Sequence, residues 1–167
     1  MSTRGILGRL DANGEFLGVF HSGDSAAWDL GNILLYELWQ RGGDLGSWLR
    51  EMIDDMPGGW SDFGHRMPWR EEPDFFRPAD LLRAAWVEWV YLFDEGARTL
   101  QIWHGNPWFE GGEPPAPRYV IQLGADGRSQ PPLIEEPLEY WPEVAVVAPP
   151  EGDSDKSAAL RAAVNAD

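Results

Sequence analysis

The chain has 167 residues, with 13 basic and 28 acidic side chains, a formal net charge of −15 and no cysteine. This length predicts one domain with a tail, and the missing cysteines exclude disulfides, thiolate nucleophiles and cysteine-ligated metals. The acidic balance argues against binding to a nucleic-acid backbone, which requires basic patches. Ten tryptophans are more than a core of this size requires, so we expect some of them at the surface.

The first predicted element is a β-hairpin. Residues 3–10 and 15–21 carry apolar residues such as Ile6, Leu10 and Phe16 on either side of an Asp-Ala-Asn-Gly turn. Asn-Gly favours a tight turn because both residues tolerate positive φ. Glycines lie inside both strands, among them Gly8 and Gly18. A glycine within a strand often marks a bulge or the close approach of another backbone.

Two helices are predicted next. Leucines recur at helical spacing over residues 26–41, with Asp24 or Ser25 as the capping residue and a Gly-Gly pair at the end. A second helix follows the cap Asp44, and its apolar residues have the i, i+3, i+4, i+7 spacing of an amphipathic helix. We expect both helices to pack on one face of a sheet.

The remaining elements complete an α+β fold. Residues 60–77 have no clean period and predict an irregular loop packed by its own aromatic rings, and residues 78–85 predict a short helix. A second hairpin over 86–93 and 99–104 and a fifth strand over 119–123 are predicted. The fold class is therefore α+β, an antiparallel sheet of about five strands with two helices on one face.

The domain prediction divides the chain into three parts. Residues 1–128 form a single α+β domain, and residues 129–150 form a proline-rich extended arm that packs on the domain or leaves it. Residues 144–147 can add to the sheet as an edge strand, and residues 151–167 predict a mobile, charged, alanine-rich tail. No signal peptide and no membrane span are predicted, so we expect a cytoplasmic protein.

Short motifs occur in a fixed order along about the first hundred residues. The chain starts Met-Ser-Thr-Arg-Gly, and later carries His21, Gly-Gly-Asp-Leu at 42–45, Pro-Gly-Gly-Trp-Ser at 57–61 and Trp-Val-Tyr-Leu-Phe-Asp-Glu at 89–95. This order resembles a family of uncharacterised proteins of actinobacteria and their phages, which implies a bacterial or phage protein but no activity. Members carry an aromatic residue directly after the histidine and a Tyr-Pro pair in that loop, and this chain lacks both.

One enzymatic alternative uses the amino terminus. Family members with cysteine at position 2 resemble N-terminal nucleophile hydrolases, in which a free terminal amine activates the side chain of the first residue. Ser2 would have this role after removal of Met1, and Arg4 would bind a carboxylate. The alternative is that Thr-Arg-Gly simply begins an edge strand.

A second enzymatic alternative places acid–base chemistry at His21, with Asp24 nearby. Ser22 is a poor nucleophile for this histidine because residues adjacent in sequence rarely point at each other. Asp24 and Ser25 are more simply helix caps. The three histidines share no ligand spacing and the chain has no phosphate-binding glycine loop, so neither a metal nor another cofactor is predicted.

The favoured prediction is a non-enzymatic interaction protein of the inhibitor or immunity type. Five tryptophans lie in or beside loops, where burial is not forced by periodicity, and they form the predicted binding surface: Trp60, Trp69, Trp103, Trp108 and Trp141. Acidic side chains around them would favour a basic protein as the partner. The alternative is that these rings cover the open face of the sheet.

Overall fold

The structure is a computed structural model, and it describes residues 3–62, 65–66, 75–111, 116–124, 131–136 and 145–147. In this part of the chain, eight strands form one sheet: β1 (Gly5–Leu10), β2 (Phe16–His21), β3 (Trp60–Asp62), β4 (His65–Arg66), β5 (Trp89–Asp94), β6 (Thr99–His104), β7 (Tyr119–Gln122) and β8 (Ala145–Val147). Their order across the sheet is β4-β3-β2-β1-β5-β6-β7-β8.

The two predicted hairpins and the fifth strand are confirmed. They correspond to β1–β2, β5–β6 and β7, which are the five longest strands. The predicted edge strand near residue 145 is also present, as β8 beside β7. The second hairpin begins only at Trp89, because the three residues before it form a turn and an extended link rather than a strand.

The purely antiparallel arrangement is corrected to a mixed sheet. The central neighbours β1 and β5 are parallel, with Gly5 opposite Trp89 and Leu10 opposite Asp94. The pairs β2–β3 and β7–β8 are parallel as well. Turn signals fix only the strands that they join, whereas the direction of the second hairpin depends on the long helical connection between the hairpins.

The helices occur where they are predicted, but each contains a wider turn. A π-helical turn, Ala27–Gly31, leads into helix α1, Asn32–Gln40. Helix α2, Leu45–Leu49, continues into a second π-helical turn, Arg50–Asp54. The predicted cap Asp44 is confirmed, since its carboxylate accepts a hydrogen bond from the backbone N–H of Ser47 at 3.2 Å.

Helix α3, Pro78–Leu81, is shorter than the predicted segment 78–85. The prediction of an irregular loop over residues 60–77 is wrong at β3 and β4, because these two short strands extend the sheet beyond β2. Its aromatic end approaches β2, where Gly18 and Phe76 exchange two backbone hydrogen bonds of 2.8 Å. A Cβ on Gly18 would lie 2.6 Å from Cγ2 of Ile6 and 3.1 Å from the carbonyl oxygen of Leu7, so the close approach that a glycine inside β2 predicts is made by β1.

The sheet separates two apolar clusters, because successive strand residues point to opposite sides. The helix face carries Leu7, Tyr91 and Ile102, and it packs against α1 and α2. The second face carries Leu92 and Trp103, and it packs against α3 and the residues that follow it. The expectation that both long helices share one face is confirmed.

The segment 131–136 packs on the helix face. The Asn32 side chain donates to the carbonyl of Ile134 at 2.9 Å and accepts from its N–H at 2.8 Å, and it also donates to the carbonyl of Trp28 at 2.6 Å. The boundary predicted at residue 128 and the tail 151–167 lie outside the described residues. Among those described, no helix has the length and apolar character needed to cross a bilayer.

Candidate functional site

A groove of about 580 Å³ opens on the second face of the sheet, at the end where both hairpins turn. Both turns lie at this end because β1 and β5 run in the same direction. Leu92 and Gln101, which are register partners on β5 and β6, lie among the residues that line the groove. Gln101 is half-buried, and its side-chain amide forms no hydrogen bond within the described residues.

Two tryptophans form the aromatic wall of the groove. The Trp108 ring lies 5.3 Å from the Trp103 ring and 5.1 Å from that of Phe16, which it meets edge to face. Trp103 is buried, whereas Trp108 is only half-buried. Trp108 therefore presents aromatic surface to the groove and packs against the rings of Trp103 and Phe16.

The position of Trp108 depends on Asn106. The side-chain amide of Asn106 donates to the carbonyl oxygens of Leu81 and Ala84 at 2.7 and 3.0 Å, and its oxygen accepts from the backbone N–H of Trp108 at 3.0 Å. The loop that carries Trp108 is thus fixed to the α3 region. Asn106 is a positioning residue that the sequence analysis missed, although asparagine directly before proline is typical of a structured turn.

Two carboxylates line the groove at the hairpin turns. Asp11 Oδ1 accepts from the N–H groups of Asn13 and Glu15 at 2.8 and 3.0 Å, and Asp94 Oδ1 accepts from that of Ala97 at 2.9 Å. These are the local bonds with which aspartate stabilises turns. The Oδ2 atom of each carboxylate has no hydrogen bond within the part of the chain that the structure describes.

The electrostatics of the groove follow from its lining. Asp11 and Asp94 are its two charged lining residues, and neither arginine nor lysine lines it in the described chain. The whole chain adds a net charge of −15. A cleft lined by charge of one sign concentrates ions of the opposite sign, so the lining of this groove favours cations over anions.

The other predicted binding tryptophans are elsewhere or not described. Trp60 packs against the core of the helix face, and its indole N–H donates to the carbonyl of Met52 at 2.9 Å. Trp69 and Trp141 lie outside the described residues. The structure therefore brings together Trp103 and Trp108 and separates Trp60 from them.

The candidate residues near the amino terminus form a polar cluster. Thr3 Oγ1 accepts from the backbone N–H of Ser25 at 2.6 Å and donates to Asp24 Oδ1 at 3.0 Å. His21 Nδ1 lies 2.8 Å from the hydroxyl of Ser25. The cap prediction for Asp24 and Ser25 is corrected, because Ala26 is the N-cap residue. Asp24 lies before the cap, and its Oδ1 accepts from the backbone N–H of Ala26 at 3.4 Å.

This cluster contains a serine–histidine pair that the sequence analysis missed. Ser25 is fully buried and His21 is 2% exposed, so the pair is enclosed. The carbonyl of Ser25 accepts from the hydroxyl of Tyr91 at 2.5 Å. Burial raises the pKa of Tyr91 well above its usual value, and the charges of Asp29 and Asp24 raise it further. The sequence signal that could have indicated this pair is the spacing of His21 and Ser25, four residues apart where a predicted strand meets a predicted helix.

Hydrolysis at Ser2 stays a prediction, because Ser2 lies outside the described residues. Arg4 is exposed, and its carbonyl accepts hydrogen bonds from Glu88 and Trp89 at the start of β5. Strand β1, which follows Arg4, lies in the middle of the sheet. The alternative that Thr-Arg-Gly begins an edge strand is therefore wrong. An intact mass that includes Met1 would exclude the Ser2 mechanism.

The opposite end of the sheet carries His104. Its ring centre lies 4.6 Å from that of Trp89. Partial burial lowers the pKa of His104 from 6.5 and the cation of Arg118 lowers it further, while Glu88 acts in the opposite direction. His104 therefore favours its neutral form more strongly than a solvated histidine does.

No group of three or more histidine, aspartate or glutamate side chains among the described residues is arranged to hold a metal ion. The groove brings together two of the predicted binding residues, Trp103 and Trp108, and is the candidate site considered below. In comparisons with known proteins, no family model, no curated protein and no solved structure matched the chain. The resemblance of the first hundred residues to the actinobacterial and phage family stays a prediction.

Proposed function

We propose that this protein is a non-enzymatic interaction module whose groove receives a basic segment of a partner protein. One observation carries the proposal: the groove combines the half-buried ring of Trp108 with the carboxylates of Asp11 and Asp94, and no basic residue lines it in the described chain. Aromatic rings beside carboxylates suit a cationic side chain, whose stem packs on the rings while its charge meets the acids.

The magnitudes favour binding of a cation at this place. A cation over an indole ring gains about 0.5–2 kcal/mol, depending on how much water is removed. A hydrogen bond to a charged group contributes about 1.5–3 kcal/mol. The overall negative charge would mainly accelerate encounter with a basic partner. These contributions together suit a specific but salt-sensitive interaction.

The charge also suggests the biological role that we propose. An acidic protein that covers a basic surface competes with nucleic acid for that surface, because both present negative charge to it. An inhibitor or immunity protein directed at a nucleic-acid-binding partner would act in this way. The chain itself would not bind the nucleic-acid backbone.

Binding of a defined basic probe tests the proposal. The probe is a fluorescently labelled, unstructured peptide of alternating arginine and glycine, and its anisotropy is measured against the purified chain at low and at physiological salt. We expect saturable binding that weakens with salt. A probe in which glutamate replaces arginine is expected not to bind.

Matched variants locate the binding. Asp94→Asn removes one charge from the groove while retaining an oxygen that can accept the turn hydrogen bond, and we expect about a tenfold loss of affinity. Asp55→Asn removes one charge from an exposed residue at the end of the π-helical turn after α2, and we expect little change. Equal losses in both variants would contradict binding in the groove and indicate a general effect of net charge.

A further inference from the structure

We infer that the groove selects arginine over lysine as the side chain that enters it. This inference rests on the function proposed above and specifies its ligand. Asp11 and Asp94 each use Oδ1 within their turns and retain Oδ2, and Gln101 retains its amide oxygen. The groove therefore presents acceptors on three different residues rather than one concentrated negative point.

The spread of acceptors matches the shape of a guanidinium group. Arginine has five N–H donors fixed in a plane, so that one cation can reach acceptors on several sides. The donors of lysine radiate from a single nitrogen at the end of a flexible stem. In this groove the carboxylates come from different hairpins, Asp11 beside β1 and Asp94 at the end of β5. A planar group with several donors uses such acceptors better than a compact ammonium does.

The apolar part of the lining points the same way. The rings of Trp103 and Trp108 and the side chains of Leu10 and Leu92 lie beside the acceptors. A guanidinium group is weakly hydrated and stacks on aromatic faces, whereas an ammonium group is strongly hydrated and loses more on leaving water. The mixed lining therefore costs arginine less desolvation than it costs lysine.

The volume of the groove indicates how the arginine is presented. At about 580 Å³ the groove is larger than one side chain, and it is open on one side. We therefore expect the arginine to enter together with part of the segment that carries it. A side chain held only by its tip would leave most of the aromatic wall in contact with water.

Three peptides test the selectivity. They share a neutral glycine–serine sequence and differ at one central residue, which is arginine, lysine or citrulline, the last being a neutral residue of nearly the same shape as arginine. Dissociation constants come from NMR titration, followed at the Trp108 indole N–H and the Gln101 side-chain amide. We expect the arginine peptide to bind about tenfold more tightly than the lysine peptide, and no measurable binding of the citrulline peptide.

The outcomes distinguish this inference from the proposed function. Equal affinity for arginine and lysine would overturn the selectivity and leave the proposed function standing. Absence of binding by all three peptides and by the arginine–glycine probe would overturn both. Gln101→Leu removes one acceptor and retains both carboxylates, and we expect it to weaken binding of the arginine peptide about threefold or more relative to binding of the lysine peptide. Equal losses for both peptides would contradict the role of Gln101.

Discussion

The two faces of the sheet are built from the same strands, yet only one of them is closed. Along β5, Tyr91 points to the helix face and Leu92 to the second face, and both are fully buried. On the helix face, α1, α2 and residues 131–136 cover the strands. On the second face, α3 and the loop of Trp108 leave the end at the hairpin turns open. The alternation of side chains along the strands produces two apolar faces. The helices and loops that pack on each face determine which part of it remains accessible.

The largest expected difference between the faces is in stability. Phe93 is fully buried on the helix face, with its ring 5.2 Å from that of Trp48. We expect Phe93→Ala to lower the free energy of unfolding by about 3–5 kcal/mol, because it leaves a cavity in a closed core. Trp108→Ala removes a half-buried ring at an open groove, and we expect a loss of about 1–2 kcal/mol. Urea denaturation of both variants measures the difference.

Binding should show the reverse order. At a temperature where Phe93→Ala is still folded, we expect it to bind the arginine peptide normally and Trp108→Ala to bind it at least about fivefold more weakly. Trp39→Ala is the control for Trp108→Ala, because Trp39 is also half-buried but lies on α1. We expect this control to bind the arginine peptide normally. Similar stability losses at Phe93 and Trp108 would mean that the groove wall belongs to the closed core.

A smaller difference is expected between two asparagines that hold loops to the two faces. Asn32 is 3% exposed and satisfies both backbone groups of Ile134, whereas Asn106 is only half-buried. We expect Asn32→Ala to cost about 2–4 kcal/mol, because buried backbone groups lose their partners. Asn106→Ala should cost about 1 kcal/mol, since water can replace part of its contacts.

The readout that separates these two variants is again the groove. Asn106→Ala frees the Trp108 loop, so we expect weaker peptide binding. Asn32→Ala should leave binding unchanged and increase hydrogen exchange at the Ile134 amide. Loss of binding in the Asn32 variant, measured where it remains folded, would contradict the independence of the two faces.

The smallest expected effect is the titration of His104, at the end of the sheet away from the groove. Its pKa is lowered in the folded chain, so the unfolded chain takes up a proton first as the pH falls. The contribution of His104 to stability is therefore constant above the unfolded value of 6.5 and becomes unfavourable as the pH falls below it.

The test for His104 is an NMR titration of its ring in the intact chain and in Arg118→Gln. We expect a pKa below 6.5 in the intact chain and a higher value in the variant, because one cation has been removed. Partial burial remains, so the pKa should stay below that of a solvated histidine. Arg83→Gln, at an exposed position after α3, is the control and should have no effect.

Local signals in the sequence predicted the helices and the hairpins. The order and direction of the strands in the sheet depend on contacts between distant residues, which these signals do not contain. The Asn-Gly turn gave the first hairpin, and helical spacing gave α1 and α2. The parallel contact of β1 with β5 joins residues such as Leu10 and Asp94 that are distant in sequence, and no local pattern encodes it. The same limit applied to the site, because Trp103 and Trp108 were predicted but the two turn aspartates were not recognised as their neighbours.

The parallel pairing of β1 with β5 also has a consequence for folding. Each hairpin can form from neighbouring residues, and each carries one of the groove carboxylates, Asp11 or Asp94. Only the contact between the hairpins puts both carboxylates at one end of the sheet, and contacts between distant residues form slowly because a long loop must first close. A chain with both hairpins formed but not yet joined would lack the groove. A ligand that binds only the assembled groove would therefore shift the folding equilibrium toward the chain in which the two hairpins are joined.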